Sequence, residues 1–176
     1  GWTGSQLESG KDVVTTSPNF EGGKAFTFKG VENKRKFIRQ SIPINMAESQ
    51  GKTYIISGWA KNNSGAGASA IDKGRCMTLS ICLTGISGDR WIPQADFNMS
   101  SNEWQFISRA ITIGKDELYT KIDIYLCYYN NVGTATFDNI QVIQESYNSY
   151  SYDSKGNVIS AAESAEQKST MNYNGD

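Results

Sequence analysis

Histidine is absent from this 176-residue sequence, and with it go the commonest general base near neutral pH and the commonest zinc ligand. Ser-His-Asp and Cys-His catalysis are therefore excluded, and hydrolytic chemistry would have to run on carboxylates. Cysteine is scarce: Cys76, Cys82 and Cys127 are odd in number and lack a metal-binding spacing, so they provide neither a disulfide framework nor a zinc site. An excess of one charge is missing too. Seventeen Lys+Arg against eighteen Asp+Glu give a formal charge of −1, which leaves no basic field to neutralise nucleic-acid phosphates or hold an anionic bilayer. No apolar run approaches the roughly 20 residues of a membrane span. The opening Gly1-Trp2-Thr3-Gly4 has no signal-peptide character, as expected of a mature or excised segment. Neither nucleic acid nor membrane insertion is an expected partner.

What is present is a globular composition with a high aromatic share, 38% hydrophobic and 11% aromatic. Segments rich in Ile, Val, Thr, Tyr, Phe and Trp recur between Gly/Asn/Ser/Asp clusters, and no 3.6-residue apolar stripe is sustained before residue 146. Strands are expected at Asp12–Thr16, Lys24–Lys29, Lys36–Ile44, Thr53–Lys61, Cys76–Leu83, Trp91–Phe97, Glu103–Ile113, Lys121–Tyr129 and Thr134–Gln144. Eight or nine strands joined by turn-rich loops predict an all-β protein, a two-sheet antiparallel jelly-roll β-sandwich over residues 1–146, with a tail over 147–176.

Period-2 alternation assigns faces. Met77, Leu79, Ile81 and Leu83, then Ile122, Ile124, Leu126 and Tyr128, then Tyr54, Ile56, Gly58 and Ala60 read as core-facing. Their neighbours, with Trp59, Tyr125 and Tyr129 among Ser57, Thr78, Ser80, Asp123 and Lys121, then face outward. Glu103–Ile113 sets Trp104 and Phe106 against Ile107, Ile111 and Ile113, which predicts a bulge or burial on both sides. If a disulfide forms, Cys82 with Cys127 is the expected pair, both lying on outward faces.

The tail has Val158 and Ile159 as its only Leu, Ile, Val or Phe, too few to build a core. Ala161–Lys168 favours helix by propensity. Against this, Tyr150-Ser151-Tyr152-Asp153-Ser154-Lys155-Gly156-Asn157 is echoed at Met171-Asn172-Tyr173-Asn174-Gly175-Asp176. This pattern resembles the YD (Rhs) repeat of large bacterial surface proteins, in which the tyrosines make a strand and Asp153 to Asn157 its turn. The resemblance implies a segment of a longer chain with further YD repeats as partners. Either Tyr147–Asp153 or Val158–Ile159 is expected to pair with the body, the other possibility being an incidental contact.

The body resembles the galactose-binding-like jelly-roll carbohydrate-binding modules, in the style of families four and nine. The resemblance is carried by Gly23-Lys24-Ala25-Phe26-Thr27-Phe28, Gln40-Ser41-Ile42-Pro43-Ile44, Gly51 to Lys61, Trp104 and Thr136-Phe137-Asp138-Asn139-Ile140-Gln141-Val142. It implies a non-catalytic module of a secreted or cell-wall-associated bacterial protein, bound to polysaccharide or cell-wall glycan. Family members open with a strand ahead of a Gly-Trp pair, so at Gly1-Trp2 that strand is expected to be absent. The resemblance also implies a structural calcium at Asp138, with Glu21 as a further carboxylate, unless Asp138 caps a turn. It makes Trp104 a packing residue.

A pyranose ring pairs an apolar C–H face with flanking hydroxyls, so its receptor needs an aromatic platform and polar side chains. Trp59, Tyr125 and Tyr129, with Trp91 beside Arg90 and Gln94, and Asp123 among them, form the expected site, unless loops cover the rings. A spacer or adhesion domain of a YD-repeat surface protein without sugar binding is the alternative.

Overall fold

The computed structural model describes residues 1–63, 74–145, 148–152, 158–163 and 168–170. Ten strands make two antiparallel sheets. The first sheet takes β1 (Thr3–Ser5), β4 (Arg35–Pro43), β9 (Tyr119–Tyr129), β6 (Cys76–Gly85) and β7 (Gly88–Asp96), in that spatial order. The second runs β2 (Val13–Thr15), β3 (Ala25–Lys29), β10 (Thr134–Gln144), β5 (Thr53–Asn62) and β8 (Gln105–Thr112). Apart from the neighbouring pairs β2–β3 and β6–β7, which stay within one sheet, consecutive strands cross from one sheet to the other, as in a jelly roll. The one helix among the described residues, α1 (Met46–Ser49), is capped by the Asn45 side chain, which accepts from the Ala47 and Glu48 amides. No helix among the described residues is long and apolar enough to cross a membrane.

The core follows the alternation. Met77, Leu79, Ile81, Leu83, Ile122, Ile124, Leu126 and Tyr128 meet Tyr54, Ile56 and Ala60 from the other sheet, with Phe28, Phe137 and Ile140 filling between. Gly58 belongs to this inner face, because a Cβ there would stand 2.4 Å from Ile140 Cδ1. β8 runs against β5 in unbroken register from Thr112 to Gln105. The bulge expected in β8 is therefore absent: β8 is an edge strand, and Ile107 and Ile111 turn inward while Phe106 is exposed.

A lysine lies inside. Lys36 is fully buried, and its Nζ donates to Asp12 Oδ2 at 2.7 Å and to the Lys29 carbonyl at 2.7 Å. Glu8 Oε1 lies 3.2 Å away. Asp12 completes the junction by accepting from the Glu8 and Lys29 amides. A buried ammonium tolerates the interior only when paired and hydrogen-bonded in this way, so the segment between β1 and β2 is stapled to the body.

In the tail, β11 (Asn148–Tyr152) pairs antiparallel with β12 (Val158–Glu163) as a separate two-stranded sheet, while β13 (Lys168–Thr170) pairs with Gln141–Ile143 of β10. The helix favoured by propensity over Ala161–Lys168 gives way to strand at Ala161–Glu163. The segments expected to pair with the body pair with each other instead. The body contact comes from β13 because β3 covers only Thr134–Phe137, leaving the next stretch of the β10 edge unpaired.

Candidate functional site

The outward face of the first sheet is a grid set by register. Rows run Arg35–Tyr129–Cys76, Phe37–Cys127–Thr78–Asp96, Arg39–Tyr125–Ser80 and Ser41–Asp123–Cys82–Trp91. Register slips by one residue between Leu79 and Ile81, where β7 carries an extra residue against β6. This bulge lets Trp91 and Gln94, three apart in sequence, share the outer face. Gly88 opens β7 directly after the two-residue Ile86-Ser87 connection, at φ +85°, a left-handed conformation that glycine takes without strain.

Together these residues enclose an open cleft of about 470 Å³ lined by Phe37, Ser80, Trp91, Ile92, Gln94, Tyr125, Cys127 and Tyr129. Trp91 is 58% exposed, and its ring centroid lies 5.2 Å from that of Tyr125. Phe37 meets the other side of Tyr125 edge-on at 5.5 Å. The Arg39 guanidinium lies 5.9 Å from the Tyr125 centroid, and that of Arg35 lies 5.2 Å from Tyr129. Burial, and then the neighbouring Cys127 thiol, push the Tyr129 phenol well above its ordinary range, so at neutral pH it stays a neutral hydrogen-bonding group. Burial likewise pushes the Cys76 thiol up to about 12.

Of the residues expected here, Trp91, Tyr125, Tyr129 and Gln94 come together. Gln94 Nε2 donates to Asp96 Oδ1 at 3.1 Å, which fixes its amide at the rim. Arg90 does not join them. It follows the opposite parity to Trp91, and its Nη1 donates to Glu117 Oε2 at 2.8 Å and to the Thr112 carbonyl at 3.3 Å, tying β7 to the β8–β9 connection. Asp123 lies on the right face but is committed: it accepts from Ser41 and Thr84 and pairs with Lys121 Nζ at 3.0 Å. Burial works to raise its pKa, but the Ser41 hydroxyl and the Lys121 and Arg39 cations outweigh this and hold the carboxyl below its ordinary value.

Trp59 is a correction. It does face outward from β5, but β5 belongs to the second sheet, so Trp59 sits on the far side of the sandwich from the cleft. There Phe20 stacks on it, with centroids 3.7 Å apart and rings inclined by 17°, and Phe106 packs at 5.2 Å. Trp104 joins this outer cluster edge-on to Phe20 at 5.8 Å and is half-buried rather than a core residue. The Cys82–Cys127 pairing is also corrected: all three thiols are free, since Cys82 stands opposite Asp123 and Cys127 opposite Thr78.

Asp138, expected to hold calcium, is engaged by backbone amides. Asp138 is buried, and its two oxygens accept from the Phe20 amide at 2.8 Å and the Asn139 amide at 2.7 Å. It caps the bulge where β10 slips against β5 and Asn139 adopts φ +48°. Glu21 is exposed, and no group of three or more Cys, Asp or Glu side chains suited to a metal forms among the described residues.

Sequence reasoning missed Phe37, Arg35 and Arg39. Their signal was available, because β4 alternates: Lys36, Ile38 and Ile42 take the inner face, which sends Arg35, Phe37 and Arg39 to the outer one.

No curated protein matches the chain. Among solved structures it resembles the enzymatically active domain of tailspike protein 4 of bacteriophage CBA120, at 16% identity and TM-score 0.58, covering 80% of this chain but 19% of that one. It also resembles TmCBM61, solved in complex with β-1,4-galactotriose, at 14% identity and TM-score 0.52, covering 82% and 88%. A cyclase from Fischerella sp. TAU matches at 14% identity and TM-score 0.58, covering 82% and 84%. At such identities the likeness is one of fold, and it extends to enzymes as well as binding modules. The sequence itself decides the family. The model of CBM_4_9, a carbohydrate binding domain, matches residues 1–131, and the chain belongs to that family of carbohydrate-binding domains.

Proposed function

We propose that the cleft on the first sheet is the glycan-binding site of this domain, and that it binds without catalysis by stacking sugar rings on aromatic side chains. The observation that carries this reading is the joint placement of Trp91, Tyr125, Phe37 and Tyr129 around about 470 Å³ of open space, with Ser80 and Gln94 as polar groups within it. Aromatic rings offer a pyranose face a large apolar area at low entropic cost, and the polar groups orient the hydroxyls. The β-1,4-galactotriose complex of a structural relative supports a chain-like ligand. A non-catalytic role is supported by the acids of this face, since Asp123 is locked to Lys121 while Asp89 and Asp96 lie two inter-strand steps away on β7 and in other rows. No facing carboxylate pair of the glycosidase kind arises from them.

The same reading places the domain on a secreted or cell-wall-associated bacterial protein, with the β11–β12 hairpin as the start of a YD-repeat array. The alternative, a spacer domain without sugar binding, draws on the covered Trp59 alone. A glycan array followed by calorimetric titration of the best hit tests the proposal. Binding lost in Trp91→Ala and Tyr125→Ala at unchanged melting temperature is the expected result. Binding that survives both substitutions would overturn it.

A further inference from the structure

Two guanidiniums stand beside the cleft without an ion pair, Arg39 sharing only its longer-range field with Asp123. Arg35 and Arg39 leave β4 on its outer face, each lying against an aromatic ring of the cleft. Neither makes an ion pair among the described residues, whereas Lys34, Lys36, Arg75, Arg90 and Lys121 all do. The acid nearest to them in the grid, Asp123, is already held by Ser41, Thr84 and Lys121. The next, Asp96, lies on β7, three inter-strand steps from β4 and so about 14 Å across the sheet. That exceeds the roughly 8 Å over which solvent-exposed charges act at physiological ionic strength. The outer face is thus polarised, with two guanidiniums free of ion pairs along β4 and the acids Asp89 and Asp96 on β7 at the far side.

Resting on the glycan-binding reading above, we infer that the ligand is an acidic glycan, a chain bearing uronic acid carboxylates, which Arg35 and Arg39 read while Trp91 and Tyr125 carry the rings. The planar fork of a guanidinium matches a carboxylate bidentately, and the aromatic ring behind each one holds its plane in place. Arg35 and Arg39 are four residues apart on an extended strand, about 13 Å between Cα atoms. They therefore read two separate positions along a chain, which favours an oligomer carrying repeated carboxylates over a monosaccharide.

The test pairs acidic oligosaccharides, oligogalacturonate and glucuronate-substituted xylan fragments, with the carboxyl-reduced form of each. Affinities are measured by calorimetry on the full chain at low and high salt, with a sulfated oligosaccharide as a third arm. The expected result is binding of at least one uronate ligand about tenfold or more tighter than its reduced form. That preference should shrink as salt rises and vanish in the Arg35→Gln/Arg39→Gln double variant, with the melting temperature reporting that the variant is folded. Arg39→Lys, which keeps the charge and loses the fork, should retain part of the preference. Equal affinity for acidic and reduced forms would overturn the inference while leaving the glycan site standing, as would a preference that survives the double substitution. Preference for the sulfated ligand over both uronates would also overturn it. Failure of every ligand to bind, reduced forms included, would remove the site and the inference together.

Discussion

Replacing Trp91 and Trp59 by alanine, one at a time, separates the two faces of the sandwich. Trp91 is 58% exposed. With up to about 250 Å² for a tryptophan side chain, roughly 145 Å² of it is open to water. A sugar ring that covers half of that surface removes about 70 Å² from solvent, which at about 25 cal/mol/Å² is worth roughly 1.8 kcal/mol. Trp91→Ala should therefore weaken glycan binding about twentyfold and barely move the melting temperature, because the ring already stands mostly in water. Trp59, stacked at 3.7 Å under Phe20 on the other sheet, should behave in the opposite way. Its loss opens a cavity beneath Phe20, and for a half-buried ring about 2 kcal/mol of stability is expected, roughly half of a full core Trp→Ala. In a domain of this size that lowers the melting temperature by about 4–8 °C. Calorimetric titration with one glycan and a thermal melt on each variant suffice. If Trp59→Ala abolishes binding while Trp91→Ala does not, the assignment of the site to the first sheet is wrong.

Lys36→Met should cost about 3–5 kcal/mol, because it strands the Asp12 carboxylate in a fully buried position; urea unfolding showing a loss below 1 kcal/mol would mean that water reaches the pair. Bonds from Lys11, then Lys34 and Lys36, lower the Glu8 carboxyl from 4.5 to about 2. With the folded pKa depressed, its contribution is present above pH 4.5 and is lost as pH falls toward 2. Melting temperatures across that window should fall less steeply in Glu8→Gln than in the parent, and parallel curves would contradict the assignment. Asp138→Ala should destabilise by about 1–3 kcal/mol through the two amides it leaves unpaired. The loss should be the same with and without a chelator, and a chelator-dependent difference would point to a metal instead.

The strands and their inner faces were legible because β-structure writes itself locally. The apolar members of Met77–Leu83 and Ile122–Tyr128 alternate, and a slip of one residue would move each whole set to the other face. The same rule, applied to Arg35–Pro43, would have exposed both the buried Lys36 and the outward Arg35, Phe37 and Arg39. In the tail the tyrosine pattern read as strand while propensity favoured helix over Ala161–Lys168, and the partner of neither segment was legible. Which segment meets the body depends on how far β3 runs along β10, and that length is not written in the tail.

Alternation reports the face of a strand, never the sheet it joins. Trp59 and Tyr125 carry the same local signal, yet hydrogen bonding sends β5 to β10 and β8, and β9 to β4 and β6, so two rings that read alike end on opposite sides of the molecule. Asp123 and Asp138 likewise read as free carboxylates until the fold brings Lys121, Ser41 and the Phe20 amide to them. Local pattern sufficed for an all-β sandwich, most of its core and a family of carbohydrate-binding domains. Tertiary structure decided which aromatics share a cleft and which charges there lack an ion pair, because both depend on contacts between residues far apart along the chain, where local pattern carries no information.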